Sequence, residues 1–157
     1  MNEIRNGRYG MYNGELYRIG KTYKNSVHLC SENRDDLRNG FTCDSSESFI
    51  EKYGFVCIKD VPKGEITEAY EITTYAHYKG LKLYIHGKKT ENMLILLNNQ
   101  LLSNSESDCE VRDVLIGMGF YVFNVDKFGC MYAKDVPIDA PELEIFEERK
   151  EIDISKL

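Results

Sequence analysis

Short stretches in which apolar and polar residues alternate dominate both halves of the chain, and a period of two marks strands that bury one face. Residues 8–20, Arg-Tyr-Gly-Met-Tyr-Asn-Gly-Glu-Leu-Tyr-Arg-Ile-Gly, place Asn13-Gly14 between β-rich flanks and predict a hairpin closed by a type I′ turn. Residues 26–30 form the next strand pattern, a charged loop covers 31–39, and an extended run restarts at Gly40-Phe41. Residues 46–53 suit one or two helical turns, with Ser46 as N-cap. A strand over 55–59 is stopped by Pro62 and the turn at Gly64, and residues 65–72 alternate again, with Ile66, Tyr70 and Ile72 on one face.

The pattern then repeats. Lys52-Tyr-Gly-Phe-Val-Cys-Ile-Lys-Asp-Val-Pro62 returns as Lys127-Phe-Gly-Cys-Met-Tyr-Ala-Lys-Asp-Val-Pro137. Tyr75, Tyr78, Gly80 and Ile85 stand 66 positions after Tyr9, Tyr12, Gly14 and Ile19. Gly119-Phe120 stands 79 positions after Gly40-Phe41, and Asp135-Val-Pro137 stands 75 after Asp60-Val-Pro62. The changes of offset place a 13-residue insertion in the second copy, around 98–117, and a four-residue insertion in the first, around 44–51. Within the longer insertion, Ser107-Asp-Cys-Glu110 has capping-box spacing and Val111, Val114, Leu115 and Met118 recur at helical intervals, which predicts one helix over about 108–116. Residues 93–97 read as a buried strand, and 141–148 repeat the alternation with Leu143 and Ile145 inward. The charged tail 149–157 is expected to fray.

The fold expected is mainly β with one short helix, built by internal duplication: a first β repeat over 1–73, and a second over 74–157 with a helical insertion at about 98–117 and an acidic C-terminal tail. Two tandem SH3-like barrels and one pseudo-symmetric bent sheet bury the same alternating faces, so the pattern is compatible with both.

Composition narrows the function classes. A formal charge of −6 and a pI near 5.2 argue against a nucleic-acid partner, because phosphate binding needs clustered Lys and Arg, and they favour a basic one. No apolar run is long enough to span a bilayer, and the opening Met-Asn-Glu-Ile-Arg lacks the order of a signal peptide, so a cytoplasmic location and no membrane partner are expected. The five cysteines have no Cys-x-x-Cys spacing and read as reduced thiols. His28, His77 and His86 have no metal-site spacing, and neither His77 nor His86 has a histidine at the matching place in the first copy, so no metal or other cofactor is expected. Gly117-Met-Gly119 follows a helix, which is C-cap chemistry and not a phosphate cradle. No Gly-x-Ser-x-Gly elbow is present, and a non-enzymatic protein is expected. Most of the eleven tyrosines fall in the repeated hairpins, where packing explains them better than recognition.

A duplicated scaffold shows its specialisation where its copies differ. The acids in or beside the insertions are Asp44, Glu47 and Glu51 in the first copy and Glu106, Asp108, Glu110 and Asp113 in the second, and these are the candidate partner-binding residues. The competing explanation is a solvated helix start favoured by the dipole.

The combination of Tyr-x-x-Tyr-x-Gly hairpin, Gly-Phe strand, aromatic-Gly strand and Lys-Asp-Val-Pro exit resembles small immunity proteins that accompany polymorphic toxins in low-GC Gram-positive bacteria. The resemblance implies a cytosolic inhibitor that binds one cognate toxin domain, with no catalytic residues to carry over. An acidic surface meeting a basic toxin, such as a nuclease, with tyrosines at its centre, is the expected mode. The alternatives are a tandem SH3-like adaptor binding a peptide or host protein, and a small enzyme in which His28, His77 and His86 converge. The residues leave oligomeric state open, with a monomer favoured.

Overall fold

The computed structural model describes residues 4–98 and 100–157, and divides into two compact units. One comprises Arg5–Thr73 with Arg149–Leu157; the other comprises Ile4 and Thr74–Glu148.

The first unit holds β1 (Gly7–Tyr12), β2 (Glu15–Thr22), β3 (Ser26–Ser31), helix α1 (Glu47–Tyr53), β4 (Cys57–Pro62) and the opening half of β5 (Glu68–Tyr78). Its strand order is β4-β3-β2-β1-β5. Asn13 and Gly14 both have positive φ, 50° and 80°, so the β1–β2 connection has the type I′ geometry that Asn-Gly favours. Ile19, Val27, Leu29, Phe41, Cys57, Val61 and Ile66 form its core, with Tyr12 at the margin.

The second unit holds the closing half of β5, then β6 (Leu81–Thr90), β7 (Met93–Leu97), helix α2 (Glu106–Gly117), β8 (Tyr121–Asp126), β9 (Gly129–Pro137) and most of β10 (Leu143–Glu151). The order here is β5-β6-β7-β9-β8, with β10 pairing β5. The ladders β1–β2, β1–β5, β2–β3, β3–β4, β5–β6, β6–β7, β7–β9 and β8–β9 are antiparallel, as hairpins and meanders require. Its core gathers Leu83, Ile85, Leu94, Leu96, Leu102, Leu115, Phe120, Tyr132 and Val136.

Positions that repeat along the sequence hold like registers within each unit. Tyr9 faces Arg18 and Tyr12 faces Glu15; Tyr75 faces Tyr84 and Tyr78 faces Leu81. Val27 pairs with Val61 as Leu94 pairs with Val136, and Ser26 meets Pro62 as Met93 meets Pro137. Lys59 Nζ donates to the carbonyl of Asn39 at 2.8 Å, and Lys134 Nζ to that of Met118 at 2.7 Å, each just before the glycine of a Gly-Phe pair.

Four expectations need correction. The strands do not close into SH3-like barrels: the sheet path is open in each unit, β4-β3-β2-β1-β5 in the first and β5-β6-β7-β9-β8 in the second, with no ladder joining the ends among the described residues. Among the described residues there are two α-helices instead of one, since Glu47–Tyr53 form a full seven-residue helix capped by Ser46 Oγ accepting from Phe49 N at 3.3 Å and ended at Gly54. Helix α2 begins at Glu106, not near 108, because the first of two overlapping Ser-x-x-acid boxes is the one used: Ser105 Oγ accepts from Asp108 N. The tail does not fray: Ile152 N donates to Ala69 O at 2.8 Å, Ile154 and Leu157 pack on the first core, and Lys63 Nζ holds the Leu157 carbonyl at 2.7 Å.

Candidate functional site

Helix α2 is held on its unit by one stripe and offers the others to solvent. Asp108, Arg112 and Leu115, spaced i, i+4 and i+7, face inward. The Asp108 carboxylate accepts from Ser103 Oγ at 2.7 Å and Ser103 N at 2.8 Å, and these bonds hold its pKa below the usual range. Arg112 donates to the carbonyls of Ser103, at 2.8 Å, and Leu102, at 3.3 Å. Leu102 in turn exchanges backbone hydrogen bonds with Cys130. Leu115 is buried, and the chain leaves the helix through a Phe120 N–H donated back to Leu115 O at 3.0 Å.

Glu106, Glu110 and Asp113, also at i, i+4 and i+7, line the opposite ridge. All three are exposed and none forms an ion pair among the described residues. The dipole accounts for Glu106 but not for Glu110 and Asp113, because its influence fades beyond the first turn. On the helix flank between ridge and core, Val111 and Val114 are exposed, Val114 at 56%.

Strand β8 continues this exposed character, and all six of its residues are exposed. Val122 faces Tyr132 and Val125 faces Cys130 across the ladder, and the register inserts Phe123 as a one-residue bulge between Val122 and Asn124. The Phe123 ring packs edge-on against His86, centroids 4.9 Å apart. Tyr121 donates its hydroxyl to Asp135 Oδ1 at 2.7 Å, while Lys89 Nζ sits 2.5 Å from Oδ2. The hydrogen bond to Asp135, ahead of burial, pushes the Tyr121 phenol up to about 12, and Lys89 and Tyr121 hold Asp135 low.

In the first unit the acids are arranged differently. Glu47 and Glu51 lie one turn apart on α1, which has no buried residue, beside the exposed ring pair Phe49 and Tyr53 with centroids 4.7 Å apart. Asp44 lies in the loop before the helix. The structure therefore aligns Glu106, Glu110 and Asp113, pairs Glu47 with Glu51, leaves Asp44 off the helix, and removes Asp108 from the set of free charges. The exposed apolar residues of β8 were not among the sequence candidates; the β-rich Tyr-Val-Phe-Asn-Val run between Gly119 and Gly129 is the signal that marks them.

A second polar constellation in the first unit is structural. Asp36, 7% exposed, accepts from Ser31 Oγ at 2.5 Å, Asn39 Nδ2 at 2.9 Å and Tyr17 OH at 3.1 Å. Burial works to raise its pKa, but the three hydrogen bonds outweigh it and hold the carboxyl low. Burial, then the bond to Asp36, pushes Tyr17 up to about 12. Nearby, Tyr12, Asn13, Glu15, Tyr17, Arg38 and Asn39 line an open cleft of about 370 Å³. Each histidine packs on its own ring, His28 on Tyr23, His77 on Phe146 and His86 on Phe123. Among the described residues no group of three or more His, Cys, Asp or Glu is placed to hold a metal.

Of the three raised phenols among the described residues, Tyr70 being the third through its hydrogen bond to Glu68, the two pushed highest give a direct optical check. A tyrosine whose folded pKa exceeds its unfolded value of about 10 adds stability that is complete below that value and is lost as pH rises through the folded one. Tyrosinate absorbance is expected to show two phenols that ionise near pH 12, with Tyr17→Phe and Tyr121→Phe each removing one of them.

Residues 4–155, nearly the whole chain, match the family described as uncharacterised conserved protein UCP033725. The chain belongs to that family. No curated protein and no solved structure matches it. Membership of UCP033725 thus covers both units, and the reading of function rests on the surfaces themselves.

Proposed function

We propose that this protein is a non-enzymatic, cytoplasmic inhibitor of the immunity type, which neutralises a cognate basic toxin domain by covering it with the acidic and apolar surface of α2 and β8. The observation that carries the reading is the row of Glu106, Glu110 and Asp113, exposed and without ion pairs among the described residues, beside exposed Val111 and Val114. An apolar patch rimmed by unpaired charge of one sign is the make-up of a surface that meets a complementary partner. The finer architecture belongs to the same proposal: the units are read as two copies of one ancestral meander, supported by their like hairpin registers and their matched lysine-to-carbonyl bonds. In this reading the second copy gained α2 and lengthened β8 as its binding device.

The test is capture of the tagged chain from its native cells, with mass spectrometry of what survives a high-salt wash. One stoichiometric basic domain is expected, and recovery of none would overturn the reading. Reversing Glu106, Glu110 and Asp113 to lysine is expected to slow association with that domain by about tenfold or more at low salt, with the gap narrowing as ionic strength rises. Asp108→Asn is expected instead to loosen the start of α2, seen as lower helicity, because its carboxylate is spent on Ser103.

A further inference from the structure

Strand β8 ends its sheet: in the strand order it neighbours β9 alone. Alternate N–H and C=O groups of Tyr121–Asp126 therefore point away from β9. Edge strands of this kind are ordinarily blunted by lysine, proline or an inward-pointing charge. β8 carries none of these; its one charge, Asp126, is engaged in the turn, where Oδ1 accepts from Phe128 N at 2.6 Å and Gly129 N at 3.2 Å. On the strand itself Val122 and Val125 are 52% and 62% exposed, and Phe128 in the turn that follows is 68% exposed. The bulge at Phe123 is the one blunting feature of this edge, and it leaves Asn124–Asp126 in regular register with β9.

Resting on the partner-binding reading above, we infer that β8 receives an extended basic segment of the partner as an added antiparallel strand. Backbone groups of β8 supply the hydrogen bonds, and Val122 and Val125 supply apolar contacts on one face, as in other strand additions. Charge selects the occupant. The acidic ridge of α2 runs to within about one turn of the end from which the chain enters β8 through Met118–Phe120, so lysine or arginine at the end of an incoming strand meets unpaired carboxylates. A second copy of this chain would instead bring together two molecules that each carry a net charge of −6 and would offer no basic segment to the acidic ridge.

The probe is a synthetic nonapeptide alternating lysine with valine and threonine, added to the full chain and followed by amide hydrogen exchange and by affinity. Amides of β8 are expected to exchange about tenfold more slowly in its presence, and N-methylation of alternate peptide amides is expected to abolish this protection. Val122→Lys with Val125→Lys, both exposed, is expected to weaken binding about tenfold with the melting temperature kept. If the N-methylated peptide binds as well as the parent, strand addition is overturned while the acidic-surface reading stands. If neither peptide binds at low salt, strand addition is overturned, and capture of the native partner still decides the broader reading. Protection of β8 that rises with protein concentration in the absence of peptide would make the occupant a second copy and overturn the proposal.

Discussion

Replacing Gly129 with alanine is expected to lower the melting temperature by about 6–12 °C, the shift that roughly 3 kcal/mol produces in a chain of this size. Gly129 opens β9 with φ of 151°, a conformation that L side chains rarely adopt. A Cβ there would overlap the Leu102 carbonyl oxygen, stand 2.8 Å from Leu102 C and 3.3 Å from Ser103 N, all of them backbone. Relief requires the Leu102 strand segment to retreat, which breaks its two hydrogen bonds with Cys130 and withdraws the carbonyls that Arg112 holds. Leu102 is itself fully buried, so the second core opens with it. Gly64→Ala is the control, since nothing lies within 4 Å of its Cβ position and its φ is not positive; it should leave the melting temperature within about 2 °C. Equal melting of the two variants would refute the packing argument.

Asp36→Ala is expected to be of similar size, about 3 kcal/mol, because it takes a carboxylate from three donors, Tyr17, Ser31 and Asn39, in a buried setting. Asp36→Asn should cost less, since the amide oxygen still accepts. The pH dependence follows from the lowered folded pKa: the carboxylate contributes stability that is present above the unfolded value of about 3.9 and is lost as pH falls through the lower folded one. Urea unfolding of the wild type and Asp36→Asn should therefore differ most near neutrality and converge in acid. A gap that stays constant down to acid pH would show that the charge of Asp36 does not contribute.

Which features were legible in the sequence depends on the range of the interaction that creates them. The Asn13-Gly14 turn needs only its own φ angles, and the hairpin register follows from it. The matched spacings of Tyr9 and Tyr75, or Val61 and Val136, come out as matched ladder positions, because a period of two ties register to which face is buried. The start of α2 was displaced because Ser105 and Ser107 both head capping boxes and the choice falls to Ser103, which lies outside either one. Asp108 looked like surface charge for the same reason. Asp36 could not be picked out from its loop, since Tyr17 is 19 residues away. The tail disguised its apolar positions Ile152, Ile154 and Leu157 among charges, and only the surface that receives them gives them meaning. The length of strand β8 was not legible, because the similar Gly40-Phe41 run earlier in the chain forms only a single bridge at Thr42.

The way the tail is used also bears on how the molecule is made. The first unit draws on Arg149–Leu157, with Ile154 and Leu157 in its core and Lys63 on the Leu157 carbonyl. A nascent chain cannot complete the first unit until these residues have followed the whole of the second. The half translated earliest is thus the one completed last, and its unsealed core is what a chaperone or a protease would meet during synthesis.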